Sequence, residues 1–425
     1  METIASVAGS EILDSRGRPT VRASCELSSG ARGTASVPSG ASTGKHEAVE
    51  LRDGDPRRYR GLGCRRAAAN IGGEIQGGIR GREFASQAEL DAALIALDGT
   101  PDKLRLGANA ILAVSIAYAR AVAVSRNVPL YRHFADIAGV EPSRFPRLTI
   151  NLFSGGKHAG KQVAIQDVLL VPASMTSIDE SLSATYEVYQ CAASIVFERY
   201  GMRLLTADEG GLAPPFESTT AMFETAVEAI SRAGFQPGRD FSIAIDVAAS
   251  HFYTGARYEI DGASLDARGV IDRIAAWVDR YPIVSVEDGL AEDDWEHWPL
   301  LLQAIGGKAL VVGDDLLCTN PERIGRAIEA RAANALLLKV NQIGTLTEAA
   351  GACRLARSAG WMVTISVRSG ETEDDWAADL ALGWNGDQFK NGSITQSERL
   401  AKYNRLLELE RETALPLFAW PGFTG

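Results

Sequence analysis

The side chains able to do chemistry in this sequence stand where apolar runs stop. "SIAID" ends at Asp246, "PIVSVED" at Glu287 and Asp288, "ALVVGDD" at Asp314 and Asp315, and "NALLLK" at Lys339, while "MVTIS" leads through Ser366 to Arg368 and Ser369. Carboxylates brought from separate strands to one place repel one another and need a counter-charge. A hard divalent cation with oxygen ligands, Mg²⁺, supplies it, because histidines and thiols for a softer metal are lacking nearby. Taken singly, each acid reads equally as a helix N-cap. Three of them followed by a strand-end lysine favour the metal reading, with Asp246, Glu287 and Asp314 as ligands. Asp288 and Asp315, one residue further on, keep a capping or supporting role.

Lys339 follows four apolar residues and is expected in a partly desolvated place near the metal, where its charged form is disfavoured and it can serve as a base. Lys390, in "DQFKNGS", is a second strand-end lysine suited to hold a carboxylate. "ISVRSGETED" sets Arg368 and Ser369 beside glycine-flanked amides, the equipment for an anion, with the apolar Val367 immediately before them. "TADEGGLAPP" adds Asp208 and Glu209 before a Gly-Gly turn, and "SGGKHAGKQVAIQD" is a glycine-rich loop carrying Lys157, His158 and Lys161 and ending at Asp167. With "PSGASTG", these loops read as lids over a concave site.

The elements that position these groups follow from periodicity. Alternation from Thr20 to Val37 across "SSG" predicts a hairpin. Helical segments run on to about residue 135, and "AGVEPSRFPRL" reads as a junction, so the chain divides into residues 1–139, a small α+β domain, and residues 140–425. In the second part, continuous apolar runs alternate with helical stretches, the pattern of parallel strands covered on both faces in a β/α barrel, where strand carboxyl ends share one mouth. One of its helices shows Leu182, Tyr186, Tyr189, Ala193 and Val196 at helical spacing, with Gly201 as its stop.

The net charge of -11 argues against nucleic-acid partners, and no basic amphipathic segment points to a membrane. The run "NAILAVSIAYARAVAVS" is interrupted by Arg120 and reads as a buried helix, too short to span a bilayer. Five scattered cysteines without CxxC spacing, and a polar start without a signal peptide, predict a reduced, cytoplasmic protein.

Over essentially its whole length the chain resembles the enolase (phosphopyruvate hydratase) family. The motifs that carry this are "EILDSRGRPTV", "VPSGASTG", "LGANAILAVS", "DEGGLAP", "YPIVSVED", "GDDLLCTNP", "LLLKVNQIGTLTEA", "SGETED" and "SERLAKYNRLLELE". The resemblance implies a small α+β domain followed by an eight-stranded β/α barrel of modified topology, assembled as a homodimer or larger. It implies two Mg²⁺ sites, one held by Asp246, Glu287 and Asp314 and a second helped by Ser42. It makes Lys339 the base, Glu209 the acid, Arg368 and Ser369 phosphate ligands, Lys390 a carboxylate ligand and His158 a lid residue, around a small phosphorylated substrate. A lysine base with Mg²⁺ is the arrangement generally known for this superfamily.

The departures are Val367 where the family has histidine, Asp167 for glutamate, His251 for glutamate, Asn391 for threonine, and two extra lid lysines, Lys157 and Lys161. The metal carboxylates and base are intact, so the expectation is changed chemistry at Lys339, Glu209 and Asp167: a substrate like 2-phosphoglycerate or phosphoenolpyruvate meeting a second anionic co-substrate at Lys157 and Lys161. Formation of carboxyphosphonoenolpyruvate in phosphonate biosynthesis is one such reaction. An ordinary phosphopyruvate hydratase and a non-catalytic paralogue are the alternatives.

Overall fold

A computed structural model describes residues 3–41, 44–201 and 205–420, apart from the His158 side chain. The chain begins with a three-stranded antiparallel sheet, β1 (Ile4–Leu13), β2 (Pro19–Leu27) and β3 (Arg32–Ser36), in which β2 and β3 form the expected hairpin. Helix Ala108–Ser125 lies across this sheet, buried on nearly all sides. It is long and apolar enough by length and composition to cross a membrane, more than the sequence reading allowed, but most of it is inside the protein. Its packing is close because β3 offers no side chain at Gly33. A Cβ there would stand 2.1 Å from the Ala117 carbonyl oxygen and 2.4 Å from the Ala121 nitrogen.

The second part closes into an eight-stranded barrel of β4 (Arg147–Ser154), β5 (Asp167–Pro172), β6 (Phe241–Asp246), β9 (Ile283–Glu287), β10 (Leu310–Gly313), β11 (Ala335–Leu338), β12 (Met362–Ser366) and β13 (Gln388–Lys390). A two-stranded ribbon, β7 (Tyr258–Ile260) with β8 (Ala263–Leu265), lies outside it. Almost every barrel-strand residue is buried, as expected for strands covered on both faces. The parallel reading needs one correction: β5 runs antiparallel to both β4 and β6. Only a single 3-10 turn, Gly156–His158, and no α-helix intervenes between β4 and β5, so the chain returns directly and β5 begins, rather than ends, at the mouth.

Register then determines what sits side by side. Ser154 pairs with Asp167, Asp167 with Asp246, and Asp246 with Glu287, so the last residue of β4, the first of β5 and the last residues of β6 and β9 form one row at the mouth. Asp314 follows β10 directly and Lys339 follows β11, while Ser366 and Lys390 end β12 and β13 in register.

The helices have caps of their own. Asp266, Asn320 and Thr345 side chains accept hydrogen bonds from first-turn amides of the helices Ala267–Arg280, Pro321–Ala330 and Leu346–Ser358. Capping therefore does not account for Asp246, Glu287 or Asp314. Helix Ile178–Tyr200 stops at Gly201 with φ 59°, the left-handed geometry glycine tolerates. Tyr189, Ala193 and Val196 are buried as the spacing expects, together with Val188, Ala192 and Ile195, while Tyr186 is exposed.

Gly33→Ala should destabilise the protein by about 1–3 kcal/mol or more, since backbone rather than a flexible side chain must move to admit the methyl group. Urea unfolding checks this; an unchanged midpoint would mean that strand and helix can separate freely.

Candidate active site

At the barrel mouth three buried cations face carboxylates from other strands. Lys390 Nζ donates to Asp246 Oδ2 at 2.9 Å and to Glu287 Oε2 at 2.6 Å. Lys339 Nζ donates to Asp314 Oδ2. Arg368 makes a two-pronged pair with Glu47, Nη1 to Oε2 at 2.9 Å and Nη2 to Oε1 at 3.2 Å. All three cations are at most 8% exposed, so desolvation offsets much of each pair's attraction, but breaking one leaves a costly buried charge.

The pairs decide the protonation states. Burial pushes Lys339 down, as expected, but the Asp314 carboxylate, aided by Glu287, outweighs it and holds the lysine above the ordinary range. Lys390 is likewise lowered by burial and raised further by Asp246 and Glu287, ending well above a normal lysine. Glu287 is raised by burial and by the neighbouring Asp246 charge. The expected lowering of Lys339 is thus reversed by a partner 25 residues away that periodicity does not reveal.

Supporting residues fix the carboxylates. Gln166 Nε2 donates to Asp246 Oδ2 at 3.0 Å, and Gln342 Nε2 to Asp314 Oδ1 at 2.7 Å. Asp288 accepts the backbone amides of Asp314 and Asp315 at 2.9 and 2.8 Å, in a turn rather than at a helix start, so its role is the supporting one and not the cap. Asp288, Asp314 and Asp315 have carboxylate oxygens close enough together to hold an ion. Both Asp288 oxygens already serve those amides, whereas Glu287 Oε1 is buried without a partner. An all-oxygen donor set with an unsatisfied buried carboxylate oxygen fits a hard divalent cation at Asp246, Glu287 and Asp314 better.

Glu209, in the loop before Leu212, accepts from Asn151 Nδ2 at 3.0 Å. Asp167 is fully buried and accepts from Ser154 Oγ at 2.6 Å. Ser369 Oγ accepts from Arg16 Nη1 at 2.9 Å, which ties the phosphate-binding candidate to the N-terminal domain. Val367 is 7% exposed, and its amide donates to the Lys390 carbonyl at 3.2 Å. It lies in the wall of the same small space as Glu209, Asp246, Lys339, Arg368 and Lys390, which has room for about 10 Å³.

Two lid assignments separate from this centre. Lys157 and Lys161 line a neighbouring pocket of about 370 Å³, with His251 and Glu217. Ser42 lies outside the described residues, as does the His158 side chain. The largest cavity described, about 520 Å³, is at the far end of the barrel around Gly238, Pro282 and Trp420, away from the convergent charges.

The first loop is clipped down by residues the sequence reading passed over. Lys45 pairs with Glu292 at 3.4 Å and Asp293 at 3.1 Å, His46 Nε2 lies 3.1 Å from Asp293, and Glu47 holds Arg368 while accepting from the Gly44 amide at 2.9 Å. The position of Glu47 inside "SGASTGKHE" is legible, but its partner 321 residues later is not.

The family model described as "Enolase, N-terminal domain" matches residues 4–134, and "Enolase, C-terminal TIM barrel domain" matches residues 143–416. The chain belongs to the enolase family. Membership identifies it as an enolase-superfamily enzyme, within a family that typically uses Mg²⁺, and the carboxylate cluster is of the kind that binds a metal.

Glu47→Gln should release Arg368 and the loop together. Exchange of the Gly44 amide should become faster, and inorganic phosphate should bind about tenfold more tightly once the guanidinium no longer faces the Glu47 carboxylate. Hydrogen exchange and calorimetric titration read the two effects; if neither changed, Glu47 would not restrain the site.

Proposed function

We propose that the protein is a Mg²⁺-dependent enolase-family enzyme that binds 2-phosphoglycerate or a phosphoenolpyruvate-like ligand and removes the proton alpha to its carboxylate, followed by chemistry other than efficient dehydration. The observation that carries the reading is the set of paired charges, Lys339, Lys390 and Arg368 against Asp314, Asp246, Glu287 and Glu47. Such a site can exchange partners as ligand and cation enter together, the ligand's anionic groups replacing carboxylates on the cationic side chains and the cation replacing lysine on Asp246, Glu287 and Asp314. Arg368 turns from Glu47 to a phosphate, Lys390 turns from the strand-end acids to a substrate carboxylate, and Lys339 is left facing the carbon acid.

Asp246, Glu287 and Asp314 would hold the cation, which when bound supplies positive charge against the developing carboxylate dianion. Lys339 would take the proton in its neutral form, which burial favours once Asp314 is engaged by the cation instead of by the lysine. Glu209, aligned by Asn151, is placed to protonate a departing oxygen. Loss of hydroxide needs more help than this, because hydroxide is a poor leaving group. Here Val367 presents an isopropyl group, and Asp167 is shorter than glutamate and engaged by Ser154.

Lys157 and Lys161 enter no ion pair among the described residues and support the idea of a second anionic co-substrate. Glu217, Glu259 and Asp261 share that pocket. Asp261 is already engaged by Thr219, and Glu259 by Ser264. Synthesis of carboxyphosphonoenolpyruvate is the reaction proposed on this basis.

Lys339→Ala should lower Mg²⁺-dependent exchange of the substrate C2 proton into D₂O by about 10²–10⁴-fold while 2-phosphoglycerate still binds. Unchanged exchange followed by NMR would remove Lys339 as the base. Asp246→Asn, Glu287→Gln and Asp314→Asn should each weaken Mg²⁺ binding in calorimetric titration, and equal affinity in all three would overturn the metal assignment.

The unmodified protein should bind 2-phosphoglycerate yet convert it poorly to phosphoenolpyruvate, and Asp167→Glu combined with Val367→His should raise that conversion. Turnover by the unmodified protein within the ordinary range, roughly 1–10³ s⁻¹, would make it a phosphopyruvate hydratase in which Val367 is a tolerated replacement.

A further inference from the structure

A second cleft, of about 270 Å³, lies away from the barrel mouth where helix Ala108–Ser125, helix Leu130–Ala138 and the start of helix Gln87–Asp98 meet helix Leu346–Ser358 of the barrel. His133 lines it at 5% exposure, and neither ring nitrogen has a hydrogen-bond partner among the described residues. Gln87, 6% exposed, also lines it. Its Nε2 is fully used by Asp91 and Ser115, and its Oε1 has no partner. Burial, aided by the Arg126 charge, pushes the His133 imidazolium down to about 4, so near neutrality the ring offers one N–H donor and one acceptor nitrogen.

Buried polar groups are overwhelmingly satisfied, so two such side chains in one cleft call for an occupant. The walls between them are apolar, with Val122, Ile137 and the Tyr118 ring. At the exposed margin stand Arg126 and Arg354, neither in an ion pair among the described residues, together with one acid, Asp136.

We propose that this cleft binds a small organic anion with a hydroxyl group at the end opposite its charge. The anionic end pairs with Arg126 and Arg354, the apolar body lies against Val122 and Ile137, and the hydroxyl donates to Gln87 Oε1 while accepting from the His133 ring N–H. Water alone would satisfy the inner groups but would make no use of the arginines or the apolar walls. An occupant here touches both parts of the chain, because Thr347 of the barrel helix, which donates to Asp91 of the N-terminal part at 2.5 Å, lines the same cleft. The site does not depend on the reaction proposed for the barrel mouth.

The test uses the full chain with 4-hydroxybenzoate and benzoate as probes, followed by the ring-nitrogen NMR resonances of the histidines, with His133 assigned by its loss in His133→Phe. 4-Hydroxybenzoate should shift the His133 signals saturably, and benzoate, which leaves the inner groups unpaired, should bind at least about tenfold more weakly. The surface pair Arg126→Ala with Arg354→Ala, chosen because neither side chain is in the core, should weaken 4-hydroxybenzoate by a similar factor. The proposal is overturned if the His133 signals do not move with 4-hydroxybenzoate, if the two probes bind equally, or if the arginine substitutions leave binding unchanged.

Discussion

Buried charge is the constraint on which this structure turns. Lys339, Lys390 and Arg368 could not be held ionised inside a protein without carboxylates at contact distance, and Asp246, Glu287 and Asp314 could not be crowded together without those cations. Each partner comes from a different strand or loop, so the pairs exist only when the barrel is closed in register. Precise pairing also explains the internal supports. Gln166, Gln342 and Asp288 add few contacts of their own, but they fix the directions in which the carboxylates point. Lys402 and Arg399, buried in helix Ser397–Thr413, do the same for the phosphate-binding candidates by donating to the carbonyls of Arg368, Ser369 and Thr372.

The same constraint joins the two parts of the chain. Arg16 reaches Ser369 and the Ser39 carbonyl, and Glu47 reaches Arg368. The N-terminal part thus supplies one side of the site. A mouth built from the barrel alone would take from Arg368 its two-pronged pair with Glu47, and a buried cation that loses a carboxylate is costly. Packing makes this attachment firm, since Gly383 allows a barrel helix to lie directly against Tyr131, where a Cβ would meet the carbonyl oxygen at 2.3 Å.

Most of what points along one strand was legible from the amino acids. The apolar runs located the barrel strands β6, β9, β10, β11 and β12 but not β4 or β5, their final residues located the acids and lysines, and Gly201 located a helix end. What stayed hidden depends on distance in the chain. Nothing near Asp167 shows that β5 runs backwards, because a buried antiparallel strand has the same continuous apolar pattern as a parallel one. Nothing near Lys339 shows that its nearest neighbour is a carboxylate, and that neighbour reverses the direction of its shift. Tyr186 marks a different limit, since helical spacing identifies a helix more reliably than it identifies which side faces inward.

The reversal of β5 has a further consequence for how such a barrel can change. In a parallel barrel each loop at the mouth is anchored by a helix that must return the chain to the opposite end, so altering the loop disturbs a packed helix. The connection from β4 to β5 is free of that obligation: it leaves and re-enters the barrel wall at the same rim, from Ser154 to Asp167. Its tip, around Lys157 and Gly160 to Gln162, can change in length and charge with little effect on the core, whereas Val163, Ile165 and Gln166 at its return are buried. It is therefore the place where a protein of this architecture can acquire lysines such as Lys157 and Lys161 while its buried row of acids stays in register.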